Sequence, residues 1–147
     1  MQRTAWPLRV LVIAVLLAPV CLSGCGRGQD VPTADVVAHL QDFKIKLSSG
    51  HARSGHVVIG LENAGPTVHE LVVARTDLRA DHLPLSKDGL TIDEEAPHFR
   101  VLGEDEHVHL SEQRVLDLVL KPGHYVLYCN LEGHYLGGMH HDLEVTG

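Results

Sequence analysis

The fold is decided by residues 123–145, which read G-H-Y-V-L-Y-C-N-L-E-G-H-Y-L-G-G-M-H-H-D-L-E-V. Residues 125–128 have strand character and bring Cys129 to a strand end, and alternating apolar residues predict a second strand over 139–145. The connection between these strands is rich in glycine, carries His134 and ends at Met139. A thiol, an imidazole and a thioether, each five residues after the last, therefore share one loop between two strands.

These three side chains form a ligand set that suits copper. The sulfur atoms of Cys and Met favour Cu(I), and imidazole also accepts Cu(II). A second imidazole would complete a trigonal His-His-Cys site with a weak axial Met, the arrangement of blue-copper electron-transfer sites. His69 is the best candidate for that second imidazole, because it follows a turn at residues 63–67 and begins a buried-looking apolar run.

Residues 1–24 have the pattern of an exported protein's leader. Arg3 and Arg9 give a positive start, and the apolar run at 10–22 is shorter than a transmembrane helix needs. The run ends in L-S-G-C, which resembles the lipobox of bacterial lipoproteins, where the leader is cut before a lipidated Cys, here Cys25. An ordinary signal peptide with a Cys at its cleavage site is the alternative. We predict a leader at 1–24, a flexible tether at 25–34 and a copper-binding domain at 35–147.

The three cysteines of the sequence have different expected fates. Cys21 leaves with the leader and Cys25 is capped by lipid, so Cys129 is the one thiol left in an oxidising compartment. A lone Cys in an exported chain needs an explanation, and metal ligation supplies one. The alternative is a core thiol that packs as a small hydrophobe.

Net charge narrows the range of partners. Removal of residues 1–24 leaves ten Lys and Arg against 19 Asp and Glu, a net charge of −9 with His neutral. An acidic chain of this kind does not favour nucleic acid or an anionic membrane surface. We therefore expect membrane attachment through the lipid on Cys25 alone, and a basic partner, although such acidity also serves plain solubility. The acidic runs at 93–95 and 104–106 are predicted to be solvated loops, with docking surfaces as the alternative.

Hydrophobic alternation predicts an all-β chain. Strands are expected at 36–40, 43–47, 57–61, 68–75, 114–120, 124–129 and 139–145, with a loop at 48–55. Residues 76–111 are too long for a structureless connection, so a short helix or extra strand is expected near 99–102. The pattern indicates a β-sandwich of about seven to eight strands.

Two separated motifs carry a family resemblance. N-x-G-x-x-x-H at residues 63–69 and Y-C-x4-H-x4-M at 128–139 together resemble the cupredoxins, the small blue copper proteins, and are most similar to the sulfocyanin-like and auracyanin-like branch. The resemblance implies a Greek-key β-sandwich, one type 1 copper and outer-sphere electron transfer. It implies His69, Cys129 and His134 as equatorial ligands and Met139 as the axial ligand.

The resemblance also bears on the surroundings of the site. It implies an apolar rim around His134, where the electron leaves, drawn here from Pro66, Leu131, Tyr135 and Leu136. Several cupredoxins have an Asn after the first His that braces the ligand loop. This chain has Glu70 there, so the sequence leaves the brace open.

His140 and His141, beside the motif, are expected to lie at the rim or surface, His140 pointing outward and His141 inward, and a second copper site is the alternative. The pair His107-x-His109 would share one strand face, and the other histidines lack metal-binding spacing. They are predicted to be mostly solvated.

These inferences give a monomeric, extracytoplasmic, lipid-anchored blue copper protein that carries single electrons between redox proteins, such as a c-type cytochrome or an oxidase. We expect no enzyme, because copper oxidases and nitrite reductases need a second catalytic copper. A carrier or buffer that delivers or sequesters copper is the alternative function. Zinc is the alternative metal, although a thioether is a poor zinc ligand.

Overall fold

The computed structural model describes residues 33–147, so the predicted leader, Cys25 and most of the predicted tether lie outside the described residues. Within this range the chain forms nine strands and a short 3-10 helix at Ala80–His82. The strands are β1 (Val36–Gln41), β2 (Lys44–Leu47), β3 (His51–Arg53), β4 (Gly55–Asn63), β5 (His69–Arg75), β6 (Arg100–Val108), β7 (Gln113–Leu120), β8 (Gly123–Tyr128) and β9 (His140–Thr146). This part of the chain has no helix long and apolar enough to cross a membrane.

The strands form two mixed sheets. One sheet has the order β2-β1-β4-β7 and the other has the order β3-β9-β8-β5-β6. The pairs β1/β4 and β3/β9 are parallel, and the remaining neighbours are antiparallel. Strands distant in the sequence thus lie side by side, as the connections of a Greek-key sandwich require. The predicted all-β fold is confirmed.

The main core lies between the two sheets. Ile59 and Leu61 of β4 and Leu71 and Val73 of β5 are completely buried and belong to one cluster. Their spacing of two residues puts each pair on one face of its strand. The alternation read from the sequence therefore marks the inward faces of both sheets.

A second cluster covers the outer face of the five-stranded sheet. Val72 and Val126 pack there with Ala80, Leu83 and Ile92 from the segment between β5 and β6. Strands β5 and β8 are consequently buried on both faces, which explains why their apolar runs are nearly continuous. This double burial holds the strand that leads to Cys129 in place.

Three details differ from the sequence-based expectations. The predicted loop at 48–55 contains β3, a three-residue strand whose parallel pairing with β9 has no local signal in the sequence. The sandwich thus has nine strands rather than seven to eight. The extra strand expected near 99–102 exists, but it extends as β6 to Val108.

The length of β6 overturns one prediction about the acidic runs. Residues 104–106 lie within this strand and not in a solvated loop. The side chain of Asp105 is only 15% exposed, and its Oδ1 lies 3.2 Å from Nη1 of Arg114. A partly buried ion pair therefore accounts for one of the three carboxylates.

Candidate metal centre

The connection between β8 and β9 is closed on itself by backbone hydrogen bonds. The N–H of Cys129 donates to the carbonyl of Met139 at 3.1 Å, and the N–H of Met139 donates to the carbonyl of His134 at 3.1 Å. Gly133 and Gly138 have φ values of 77° and 113°, a region that favours glycine. The three predicted ligands of this segment therefore sit on one compact loop.

His69 reaches this loop from the neighbouring strand. It begins β5, which pairs with β8. Its Nδ1 lies 3.4 Å from Nδ1 of His134, and that nitrogen lies 3.3 Å from Sγ of Cys129. The ligand atoms of these three residues all fall within 4.8 Å of one another, the one such group of His, Cys, Asp and Glu found in residues 33–147. The structure thus brings the two sequence motifs together, and His69, Cys129 and His134 could hold one metal ion between them.

Burial differs among the four predicted ligands. His69, Cys129 and Met139 are fully buried, whereas His134 is only partly buried. Met139 belongs to the same core cluster as Cys129, and backbone hydrogen bonds hold it beside Cys129 and His134. Its role as an axial ligand stays a prediction.

The thiol of Cys129 is shielded from water. Burial raises the pKa of Cys129 to about 11, although the N–H of Glu70, 3.5 Å from Sγ, acts in the opposite direction. The metal-free protein therefore holds a neutral thiol at neutral pH. Because a thiolate is the ligand form, a metal ion that binds here must displace this proton.

The imidazole of His69 is held in its neutral form. Burial, and then the nearby charge of His134, lower the pKa of His69, while Asp42 acts in the other direction. A neutral imidazole is the form that ligates a metal. Together with Cys129 and His134, it makes a donor set of imidazoles and sulfur that fits copper.

Glu70 supplies the brace that the sequence left open. Its backbone N–H points to Sγ of Cys129, and its Oε1 accepts a hydrogen bond from the N–H of Asn130 at 2.6 Å. Burial raises the pKa of Glu70. One residue therefore fixes both the sulfur and the peptide that follows it.

A second carboxylate ties the same loop to the segment before β6. Oε1 of Glu94 accepts hydrogen bonds from Nδ2 of Asn130 and from the Tyr128 hydroxyl, both at 2.9 Å. The N–H of Ile92 donates to Oδ1 of Asn130 at 2.5 Å. The prediction that residues 93–95 are simply solvated is wrong for Glu94, which anchors the residues on both sides of Cys129.

Asn63 explains the first motif physically. This side chain is 3% exposed, and its Nδ2 donates to the carbonyls of Thr67 and Val108 at 2.8 Å. Its Oδ1 accepts the N–H of Gly65 at 2.8 Å. The turn before His69 is therefore fixed by three hydrogen bonds of one buried amide.

Sequence reasoning missed the turn between β1 and β2. Oδ1 of Asp42 lies 3.2 Å from Nε2 of His69, and the Phe43 ring meets the His134 ring edge-on at 6.2 Å between centroids. The Phe43 ring also occupies the space that a Cβ on Gly137 would need. No spacing to the ligands signals this turn, since only the pairing of β1 with β4 brings it to the site.

The apolar surface beside His134 is composed differently from the expectation. Phe43 and Leu136 are 60% and 53% exposed. Tyr135 is buried instead, because its ring joins the second cluster and its hydroxyl accepts the N–H of Leu83 at 2.9 Å. His140 does not simply face solvent, since its ring packs 5.1 Å from that of Tyr135 and burial lowers its pKa.

Comparisons with known proteins agree with this architecture. No protein-family model and no curated protein sequence matches the chain. Among solved structures, dithionite-reduced auracyanin from Roseiflexus castenholzii matches with a TM-score of 0.52 and 14% identity over 76% of this chain and 95% of that one. The copper protein rusticyanin matches with a TM-score of 0.52 and 16% identity over 76% of both chains.

A multicopper oxidase from Pediococcus acidilactici matches with a TM-score of 0.48 over 30% of its own length, a score too low to support an argument. The matches to auracyanin and rusticyanin, at 14% and 16% sequence identity, concern the fold and not the activity of this chain. Residues 33–147 therefore have the cupredoxin fold, the β-sandwich of the family that the two sequence motifs resemble.

Proposed function

We propose that this chain is a type 1 copper protein that carries single electrons between extracytoplasmic redox proteins. The observation that supports it most is the convergence of ligand atoms of His69, His134 and Cys129 within 4.8 Å, with Nδ1 of His134 3.4 Å from Nδ1 of His69 and 3.3 Å from Sγ of Cys129. In this proposal those atoms are the equatorial ligands and the thioether of Met139 is the axial one. A site held between β5 and the closed loop that joins β8 to β9 would change little when copper changes oxidation state, which is what rapid electron transfer requires.

The surface beside His134 supports the transfer step. His134 is the one proposed ligand that is partly exposed. The exposed ring of Phe43 packs against the ring of His134, and the exposed side chain of Leu136 lies on the same loop as His134. An apolar patch around a ligand lets a partner approach closely without stripping water from charged groups. We therefore propose that electrons enter and leave through His134.

The chemistry of the partner follows from charge. The sequence carries 19 acidic residues against 12 Lys and Arg, so a basic redox protein, such as a c-type cytochrome or the docking face of an oxidase, would be attracted at long range. Attachment to the membrane through lipid on Cys25 would keep the carrier near such partners. Both the partner and the anchor belong to the proposal.

A copper carrier or buffer is the second candidate. It is favoured by the buried thiol and thioether, which are ligands that Cu(I) prefers. The two functions differ in redox behaviour. A copper carrier would hold Cu(I) and resist oxidation, whereas an electron-transfer protein would change readily between Cu(I) and Cu(II).

The test is a titration of the purified protein with Cu(II) while the visible spectrum is recorded. We expect an intense thiolate-to-copper band that reaches its maximum at one copper per chain, followed by reversible one-electron reduction in voltammetry. A colourless, tightly bound Cu(I) form that resists oxidation would support the carrier function. Failure to bind copper in either oxidation state would contradict both proposals.

A further inference from the structure

We propose that Asp42, in the turn between β1 and β2, is a positioning residue for the metal centre. Its carboxylate accepts the Nε2–H of His69 and thereby selects the tautomer whose Nδ1 lone pair faces Cys129 and His134. The inference rests on the proposed function in so far as a metal uses that lone pair. The contact itself, 3.2 Å between Oδ1 of Asp42 and Nε2 of His69, is a property of this chain with or without a metal.

The two ring nitrogens of His69 face opposite partners. Nδ1 lies 3.4 Å from Nδ1 of His134, and Nε2 lies 3.2 Å from Oδ1 of Asp42. A neutral imidazole has one donor and one acceptor nitrogen, and an ionised carboxylate can only accept. Nε2 is therefore the donor, which leaves Nδ1 as the free lone pair inside the site.

A hydrogen bond from the neighbouring Thr67 holds the Asp42 carboxylate in position. The hydroxyl of Thr67 donates to Oδ1 of Asp42 at 2.7 Å. The same hydroxyl lies 3.4 Å from Nε2 of His69, so Asp42 is the closer acceptor for that ring. The contact is also partly shielded, since the imidazole is fully buried and the carboxylate is 33% exposed.

Glycine at position 65 makes this approach possible. A Cβ there would come within 2.9 Å of Oδ1 of Asp42 and 3.0 Å of Nε2 of His69. The N–H of Gly65 is itself held by the buried Asn63. The first motif therefore does more than place His69, because its Asn, Gly and Thr also shape the space in which a carboxylate from another turn meets the ring.

The chemical consequence concerns the strength of the ligand. A carboxylate that accepts the distal N–H of a ligating imidazole fixes the ring and raises its basicity. A more basic ligand favours the more highly charged metal ion, so Asp42 should strengthen Cu(II) binding and lower the reduction potential. Loss of such a partner typically weakens metal binding about tenfold to a hundredfold.

The first test needs no metal. Nitrogen NMR of the full metal-free chain, at a pH where imidazole is neutral, reports which ring nitrogen of His69 carries the proton. We expect a single Nε2–H tautomer in the wild type, a mixture in Asp42→Ala, and retention of the Nε2–H tautomer in Asp42→Asn, whose amide oxygen still accepts. Asp117→Asn, which removes a 61% exposed carboxylate, is the control and should behave as wild type. An unchanged single tautomer in Asp42→Ala would overturn the proposal.

The second test measures copper affinity by competition with a coloured chelator. Asp42→Ala should bind Cu(II) about tenfold to a hundredfold more weakly, with a higher potential, and Asp42→Asn should recover most of the affinity. Unchanged affinity in Asp42→Ala, with Asp117→Asn also unchanged, would overturn the positioning role. If the wild type binds no copper, the proposed function fails, while the tautomer experiment still decides whether Asp42 orients His69.

Discussion

His69 and His134 bring the same functional group to the site from opposite surroundings. His69 is fully buried on a strand, with its distal nitrogen against Asp42. His134 lies on the loop between β8 and β9, partly exposed, with the exposed ring of Phe43 beside it. The difference indicates a division of labour, in which the buried imidazole fixes geometry and the exposed one provides access.

The sulfur of Cys129 lies close to both imidazoles. The largest effect of any substitution on the copper spectrum is therefore expected at Cys129. Cys129→Ser should abolish the visible charge-transfer band, because the thiolate is its source. Met139→Leu should keep copper and colour, because the axial thioether is only a weak ligand, and should raise the reduction potential, because loss of this donor destabilises Cu(II) more than Cu(I). Absorption spectra and voltammetry of the copper-loaded variants check both outcomes. A blue band in Cys129→Ser would remove this residue from the site.

The next prediction tests the comparison itself. Replacing either His by Gly should disrupt the copper spectrum, but added imidazole should restore it only in His134→Gly. The reason is access, since the space left by His134 opens to solvent and the space left by His69 is enclosed by the core. Titration of the two variants with free imidazole, followed by visible absorption, measures this. Equal rescue of both variants would show that burial of His69 does not restrict entry.

The hydrogen bonds of Asn63 that fix the turn before His69 should also contribute to the free energy of unfolding. Asn63→Ala removes three hydrogen bonds and leaves the N–H of Gly65 and two carbonyls without their partner. Since each buried unpaired group costs about 1–3 kcal/mol and neighbouring losses overlap, we expect a loss of roughly 2–4 kcal/mol. Urea unfolding of the metal-free protein measures it.

A matched control is available in β7. Gln113 is exposed, and its Nε2 reaches only Glu62, at 3.4 Å. Gln113→Ala should therefore change stability by less than about 0.5 kcal/mol. If the two variants lost equal stability, the turn before His69 would not be held by Asn63.

The sequence predicted what local spacing determines. Cys129, His134 and Met139 follow one another at fixed intervals on a loop whose flanking strands alternate in hydrophobicity, so their placement on one loop required no tertiary information. His69 was recognisable because the Asn-Gly turn before it is itself local. The inward faces of the strands followed from the same alternation.

Contacts made by strand pairing could not be predicted in this way. Asp42 reaches His69 only because β1 lies parallel to β4, and β3 exists only because β9 offers it an edge. Glu94 looked like part of a solvated acidic run, yet it accepts hydrogen bonds from both Tyr128 and Asn130. In each case a polar residue in a turn or a short segment takes its role from a partner that is distant in the sequence.

The smallest predicted effect compares His69 with a histidine outside the site. His124 of β8 is 20% exposed, and its ring contacts the carbonyl of Thr76 at 2.8 Å and Oδ1 of Asp142 at 3.0 Å, with Glu144 at 4.0 Å. Burial alone would lower the pKa of His124, but these acceptors outweigh burial and raise it. This shift is opposite in direction to the lowered pKa of His69. Because the folded state binds this proton more tightly, its stabilising contribution is present below the ordinary His pKa and is lost as pH rises through the raised value.

Proton NMR titration should show this opposite direction directly. Asp142→Asn should lower the pKa of His124 and flatten the fall in stability over that pH range, because it removes the nearest carboxylate. Asp117→Asn, which removes a carboxylate that pairs with a different histidine, should leave the titration of His124 unchanged. An unshifted pKa of His124 in Asp142→Asn would mean that the carbonyl of Thr76 and the carboxylate of Glu144 set its proton affinity. The contrast with His69 would then depend on the backbone acceptor and the shallower burial of His124, and not on its nearest carboxylate.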